Sequence, residues 1–201
     1  MADTIPLRRR NQLAAMRMVQ ATAVTMFEAT GFEATTMKDV AGESGVSAST
    51  IYRYFGTKEA LVLWDERDDV VESELATRLA EQSPVDAFCG AMAVAYGARE
   101  DMDLFLRRLR LVYGEPAIWA AAARQDRVNR SELALAFASV SGRSHAAMLD
   151  TLTAAVCLTA LDVAFEEWQR DPSAAGLTDL IVDSADRLRW NEPTADRRPP
   201  V

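Results

Sequence analysis

The chain has 201 residues, 49% of them hydrophobic, and a formal net charge of −8. Such a chain can bury a sizeable core, and its apolar residues recur mostly three and four positions apart, which predicts an all-α protein. No apolar run approaches the roughly 20 residues of a transmembrane helix, and residues 1–10 lack the apolar stretch of a secretory signal. We therefore expect a cytoplasmic protein without a membrane partner.

The helices predicted in the first 60 residues are short and closely spaced. An apolar stripe predicts the first helix over residues 8–30. Thr36 can cap a second helix over 37–44, because its side-chain oxygen accepts a backbone N–H group of the first turn. Ser47 can cap a third helix over 48–55 in the same way. The three helices predict a compact N-terminal domain.

The rest of the chain is predicted to form longer helices. Thr57 can cap a helix that starts at Lys58 and extends to about residue 81. Five more helices are predicted over residues 84–98, 101–112, 116–140, 144–170 and 177–190. These patterns predict about nine helices, divided into an N-terminal domain over 1–60, a C-terminal helical domain over 61–192 and a disordered tail over 193–201.

Residues 37–55 have the features of a helix-turn-helix. Two helices that cross steeply over a short turn need a small residue at their contact, a glycine in the turn and inward-facing apolar residues. Ala41 supplies the small residue and Gly45 the turn. The apolar residues at inward positions are Val40, Val46, Ile51 and Phe55. A plain helical hairpin with solvated charges is the alternative interpretation.

The outward side of the second of these helices is suited to duplex DNA. Small residues can enter a major groove, where Ser and Thr bond to base edges, and hydroxyl groups and cations suit phosphate oxygens. Residues 1–60 carry a net charge of +1, whereas the remainder carries −9. We therefore expect the N-terminal domain to make the contact. The candidate DNA-binding residues are Thr36, Ser47, Ala48, Ser49, Thr50, Tyr52, Arg53, Tyr54 and Lys58.

These residues also resemble a known family. The stretch TTMKDVAGESGVSASTIYRYFGTKEAL, preceded by MFEATGF, is similar to the N-terminal signature of tetracycline-repressor (TetR) family transcriptional regulators. The resemblance covers about residues 10–62. It implies phosphate contacts by Thr36, Tyr52, Tyr54 and Lys58, and base-facing positions for Lys38, Ala48, Ser49 and Thr50. It also implies a repressor that binds a palindromic operator and is released by a small molecule in the C-terminal domain.

The helix predicted over residues 144–170 is apolar around nearly its whole circumference. A helix of this kind is buried on all sides, which in a domain this small requires a second surface besides its own core. The helix over 177–190 offers a matching stripe through Leu177, Leu180, Ile181, Ala185 and Leu188. We therefore predict a homodimer closed by a four-helix interface from these two helices, as the resemblance also implies.

Bulky side chains in the C-terminal part are candidates for an effector pocket. Their apolar and aromatic character favours a hydrophobic or acyl-type ligand, although ordinary core packing explains any one of them equally well. Those side chains are Phe88, Met92, Tyr96, Phe105, Leu109, Tyr113, Trp119, Phe137, Phe165 and Trp168. A DNA-binding dimer without any effector is the alternative function.

Charged residues of the C-terminal part leave further alternatives open. Asp162 and Glu166 lie one turn apart. They either hold a cation or a ligand amine or pair with arginines across the interface. Arg107, Arg108 and Arg110 either bind an anionic ligand or form a solvated face.

An enzyme is the least favoured class. His145 is the single histidine, the sequence has no Gly-rich phosphate loop, and Cys89 and Cys157 lack CxxC spacing. We accordingly predict no catalytic residues, no metal and no cofactor.

Overall fold

The computed structural model describes residues 6–97 and 100–189, which form ten α-helices and no strands. The predicted tail over 193–201 lies outside the described residues. In chain order the helices are α1 (Leu7–Thr30), α2 (Met37–Ser44), α3 (Ala48–Phe55), α4 (Ala60–Leu63), α5 (Asp68–Arg78), α6 (Pro84–Gly97), α7 (Met102–Gly114), α8 (Pro116–Val140), α9 (Met148–Arg170) and α10 (Leu177–Arg189). The all-α prediction is confirmed.

The chain divides into two compact units. The first unit comprises residues 1–66 and 100–125, and the second comprises 67–99 and 126–201. The predicted N-terminal domain therefore lies in a unit that also contains α7 and the first part of α8. A functional boundary near residue 60 stays a prediction.

The first unit is organised around α1. Its buried residues Val19, Val24 and Phe27 pack with Val40 of α2 and Ile51 of α3 in one apolar cluster. Val40 and Ile51 have no exposed surface, as the helix-turn-helix interpretation requires. Burying apolar side chains of this size stabilises the fold by about 1.5–3 kcal/mol each.

A tight turn joins α2 to α3. Thr36 and Asp39 form a reciprocal capping box at the start of α2, and Ser47 accepts a hydrogen bond from the Thr50 N–H group at the start of α3. Gly45 ends α2 with a φ of 68°, in the left-handed region where a residue without Cβ is favoured. The caps and the glycine predicted from the sequence are confirmed.

The prediction of a single helix from Lys58 to about residue 81 is wrong, because a non-helical segment separates α4 from α5. Trp64 leaves the helical conformation with a ψ of 130°. Gln20 Nε2 donates to the carbonyl oxygens of Leu61 (2.9 Å) and Trp64 (2.8 Å), so that α1 supplies donors for the end of α4. Carbonyl groups at a helix end need partners from outside the helix, and here side chains provide them.

Arg108 of α7 holds the same helix end from a second direction. Its Nε donates to the Val62 carbonyl at 2.7 Å and its Nη2 to the Leu63 carbonyl at 3.3 Å. Its Nη1 lies 3.2 Å from Asp65 Oδ2, and both side chains are buried. We call Gln20, Asp65 and Arg108 the α4 clamp. The clamp ties α4 to α1 and α7 within the first unit.

In the second unit, α6 packs against α5, α9 and α10, and α9 packs against α10. Leu177 and Ile181 of α10 are buried in the protomer, so these two residues are not available for the predicted dimer interface. The side chains of Ala185 and Leu188 lie outside the described residues. An apolar stripe shows which face of a helix is buried but not what covers that face. The stripe of α10 alone therefore could not distinguish an internal core from a dimer interface.

The apolar helix predicted from residue 144 begins at Met148. Asp150 accepts a hydrogen bond from the Ala147 N–H group at 2.7 Å and is held by both terminal nitrogens of Arg143. These contacts hold the pKa of Asp150 below its usual value, through Arg143 first and the Ala147 N–H group second. An acidic group at this position stabilises a helix start, which explains why α9 begins four residues later than predicted.

Cys89 and Cys157 are both buried in the second unit, and neither forms a disulfide bond. Burial raises the pKa of Cys157 to about 12, and the nearby Cys89 adds to the shift. A thiol in this state is a poor nucleophile at neutral pH, so Cys157 contributes to packing rather than to chemistry.

Candidate DNA-binding site and C-terminal helices

The surface of α3 presents most of the predicted DNA-binding residues. Ser47, Ser49, Tyr52 and Arg53 are exposed, and Tyr52 exposes 53% of its surface. The half-exposed residues of the same helix are Ala48, Thr50 and Tyr54. The opposite side of α3 is anchored by Ile51 and Phe55 in the core. The small residues therefore lie at the N-terminal end of α3, and the aromatic residues lie one turn later in the same helix.

Two of the predicted phosphate contacts also have internal partners. The Lys58 ammonium donates to the carbonyl oxygens of Phe32 (2.6 Å) and Thr35 (3.2 Å) and lies 4.0 Å from the centre of the Phe32 ring. The Thr36 hydroxyl donates to Asp39 Oδ2 at 2.7 Å. Lys38 is exposed on α2. Each ammonium has three protons, so Lys58 can hold the loop before α2 and still meet an anion.

Asp39 gives the helix-turn-helix a pH-dependent element. Hydrogen bonds from the Thr36 side chain and backbone lower the pKa of the Asp39 carboxyl group. A lowered folded-state pKa means that the cap contributes stability above the unfolded-state value of about 4 and loses it as the pH falls through the folded-state value. We expect Asp39→Asn to lower the melting temperature at pH 7, and we expect the difference from wild type to shrink towards pH 3.

Circular dichroism melts at pH 7, 5 and 3 would check this prediction. Glu43→Gln, which removes one negative charge from the same helix outside the capping box, is the matched control. A difference between Asp39→Asn and wild type that stays constant over this pH range would contradict it.

A groove of about 880 Å³ lies beside α3. Its walls are Arg53 and Tyr54 from α3 and, from the first turns of α1, Leu7, Arg8, Asn11 and Gln12. The Arg53 guanidinium lies 5.2 Å from the centre of the Tyr54 ring, a cation–π distance that orients the arginine along the groove. The sequence interpretation did not include the α1 residues, although the run of three arginines at 8–10 was a visible signal.

The ten candidate pocket residues divide between the two units. In the first unit Phe105 and Leu109 are buried, Tyr113 is half-buried and Trp119 exposes 57% of its surface. In the second unit Phe88, Met92, Phe137 and Trp168 are buried. Tyr96 and Phe165, also in the second unit, pack edge to face with their ring centres 5.2 Å apart. These side chains supply an aromatic core in the second unit.

Two of the three arginines left open by the sequence, Arg107 and Arg108, have internal partners. Arg107 binds both carboxylate oxygens of Glu28 and the Thr25 hydroxyl on α1, and hydrogen bonding to Glu28 raises its pKa. Arg108 belongs to the α4 clamp, and Arg110 is exposed. Arg107 and Arg108 thus tie α7 to α1 and α4.

The two acids of α9 differ in their surroundings. Glu166 pairs with Arg170 one turn later at 2.6 Å. Asp162, by contrast, lies near another acid, Asp126. Burial raises the pKa of Asp126, and the negative charge of Asp162 raises it further. The pair of Glu166 and Arg170 lies within α9, so the pairing with arginines across an interface stays a prediction.

One side of α9 exposes large apolar residues. Leu149, Leu152, Val156 and Val163 follow one another at three-, four- and seven-residue spacing and are 42–72% exposed. Ala154, Cys157, Ala164 and Trp168 form the buried side. We call the four exposed residues the α9 stripe.

By length and composition alone, α9 could cross a membrane. Its most apolar 18-residue segment has a mean hydropathy of 1.6, and 17% of that segment is buried. This is weak support for a membrane span, since helices of soluble proteins pass the same test. Asp162 also lies on the exposed part of this helix, where a charge would be costly in a bilayer.

Comparisons with known proteins agree with this architecture. Residues 20–63 match the family model of bacterial regulatory proteins of the tetR family, and residues 82–192 match the MftR C-terminal domain. The transcriptional regulator TcmR of Streptomyces glaucescens is 28% identical over 129 residues. That match spans 60% of this chain and 57% of the length of the relative.

Solved structures share the fold at low sequence identity. A SmeT–triclosan complex matches with a TM-score of 0.61 and 14% identity, over 93% of this chain and 95% of the other. Lauroyl-CoA-bound FadR of Thermus thermophilus matches with a TM-score of 0.52 and 17% identity, over 92% and 99%. NalD of Pseudomonas aeruginosa matches with a TM-score of 0.53 and 18% identity, over 89% and 96%.

The exposed small residues of α3, after the tight glycine turn that follows α2, give this all-α chain the geometry of a helix-turn-helix. The second family match spans more than half of the chain, and the first covers α2 and α3. The chain belongs to the TetR family of bacterial transcriptional regulators. The members of this family are regulatory proteins rather than enzymes, and the resemblance noted in the sequence is confirmed.

Proposed function

We propose that the protein is a homodimeric repressor that binds a palindromic operator in the cytoplasm and is released by a small hydrophobic or acyl-type effector. The exposed surface of α3 is the observation that carries the DNA-binding part. Ala48, Ser49 and Thr50 would approach base edges in the major groove, and Tyr52 and Arg53 would contact phosphates. Thr36, Lys38, Ser47, Tyr54 and Lys58 would complete the contact.

A dimer is supported by the α9 stripe. Four large apolar side chains on one helical face are costly to leave in water, and a twofold axis lets the stripe of one protomer cover that of its partner. A single α3 touches only a few base pairs, so two linked heads are needed for specific affinity. A half-site spacing of about 34 Å, one turn of DNA, would place both heads on the same face of the duplex.

An effector site is supported by the aromatic side chains of the second unit. Phe88, Met92, Tyr96 and Phe165 offer an apolar surface with one phenolic hydroxyl. Two structural relatives are complexes with triclosan, an apolar aromatic molecule, and with lauroyl-CoA, which joins an apolar acyl chain to a charged nucleotide. A coupling of about 1–3 kcal/mol between effector and operator would change DNA affinity by roughly 5- to 150-fold. A regulator that binds DNA without an effector is the alternative.

Selection from a random-sequence duplex library tests the DNA-binding proposal. We expect enrichment of an inverted repeat, two chains per selected duplex in sedimentation, and an affinity that falls steeply between about 50 and 200 mM salt. A library without enrichment, or an affinity independent of salt, would contradict the proposal. Repeating the titration with lauroyl-CoA, with triclosan and with neither tests whether an apolar effector weakens binding.

A further inference from the structure

The first turn of α1 is chemically unlike the other helix starts. It contains Arg8, Arg9 and Arg10 and no acidic residue, and Pro6 provides no side-chain cap. Positive charge at a helix N-terminus opposes the helix dipole. Acidic residues occupy the first turn of α2 (Asp39), α5 (Asp68 and Asp69), α6 (Asp86), α7 (Asp103), α9 (Asp150) and α10 (Asp179), whereas α3, α4 and α8 have none there. Three arginines at one helix start conflict with local helix stability, and such conflicts are found at functional sites.

The groove beside α3 provides the geometry for that function. Arg8, Asn11 and Gln12 form the wall opposite Arg53 and Tyr54, so the groove has an arginine on each side and no acidic residue in its lining. Arginine and the side-chain amides are donors that suit phosphate oxygens. From residue 4 to residue 27 the chain contains no Asp or Glu, although its net charge is −8. The local field therefore favours a polyanion.

We propose that this groove is a second DNA-contact site, which holds the phosphate backbone flanking the bases that α3 reads. The inference rests on the proposed function, because a duplex seated on α3 would carry its flanking strand past Arg53 and Tyr54 into the groove. Arg8 supplies the added cation, and Asn11 and Gln12 supply neutral donors. The contact positions the duplex and adds affinity without reading sequence.

The test uses the full-length protein and two fluorescent duplexes, one trimmed to the inverted repeat selected from the random library and one extended by six base pairs of fixed sequence at each end. We expect wild type to bind the extended duplex about 3- to 10-fold more tightly. Arg8→Gln should abolish that difference and reduce the slope of log affinity against log salt by about 0.9 for each phosphate that the protein no longer neutralises. Its melting temperature should be unchanged or higher, because the replaced charge opposes the helix dipole.

Arg17→Gln is the matched control, since Arg17 lies on the same helix, outside the groove, and pairs with Glu66. It should retain the preference for the extended duplex. Equal wild-type affinity for the two duplexes, or identical behaviour of Arg8→Gln and Arg17→Gln, would overturn the inference and leave the proposed function standing. If wild type binds neither duplex above an unselected one, the proposed function fails and the inference with it.

Discussion

Arg108→Met is expected to lower the free energy of unfolding by about 3–5 kcal/mol. Arg108 is 5% exposed and its partner Asp65 is 8% exposed. Removing the arginine leaves a buried carboxylate without its cation and deprives the Val62 and Leu63 carbonyls of their donors. Urea unfolding followed by circular dichroism would measure the loss, which is a large part of the stability of a typical domain.

Two further variants separate the α4 clamp from a general effect of charge. Arg110→Met removes the same charge from an exposed position of α7 and should change stability by about 0.5 kcal/mol or less. Arg108→Met combined with Asp65→Leu should recover much of the loss, because a buried ion pair can be replaced by apolar residues at little cost. An Arg108→Met variant as stable as Arg110→Met would show that the clamp contributes nothing.

Leu152→Glu is expected to convert the proposed dimer into a monomer. Leu152 exposes 54% of its surface in the protomer and lies in the middle of the α9 stripe. Twofold symmetry introduces the charge twice at one interface, so a cost of about 2 kcal/mol at each copy raises the dissociation constant of the dimer roughly 1000-fold. Sedimentation velocity between 1 and about 50 μM would show the change, and affinity for the inverted repeat should fall in parallel.

The control is Thr151→Glu, which places the same charge on the preceding residue of α9, outside the stripe. It should remain a dimer. If wild type sediments as a monomer throughout this range, or if Leu152→Glu remains a dimer as wild type does, the α9 stripe has another role. Membrane binding would then be tested by flotation with lipid vesicles. We expect the wild-type protein to stay in the dense fraction, apart from the vesicles.

Local signals explain why the N-terminal helices could be predicted from the sequence. Thr36 and Ser47 cap the helices that follow them, and Gly45 adopts the left-handed conformation that ends α2. Each of these features depends on residues within a few positions of the helix end. The inward positions of Val40 and Ile51 followed from helical periodicity alone.

The break after α4 depends on residues far away in the chain. Gln20 lies 41 residues from Leu61, and Arg108 lies 46 residues from Val62. No window along the sequence contains both a helix end and the distant side chain that binds it, so a single long helix was predicted. The direction of the α10 stripe was ambiguous for a related reason, since Leu177 and Ile181 could face either a core or a partner.

Ser49→Glu provides the most direct test that α3 enters DNA. Ser49 is exposed in the first turn of α3, where a carboxylate favours the helix dipole, so folding should be unaffected or slightly stabilised. Anisotropy titration of the selected duplex should show affinity reduced by roughly 100-fold, because the carboxylate would face phosphates and base edges. Ser73→Glu, at an exposed position of α5, should bind the duplex as wild type does. Wild-type affinity in Ser49→Glu, with the fold intact, would contradict the placement of α3 in the duplex.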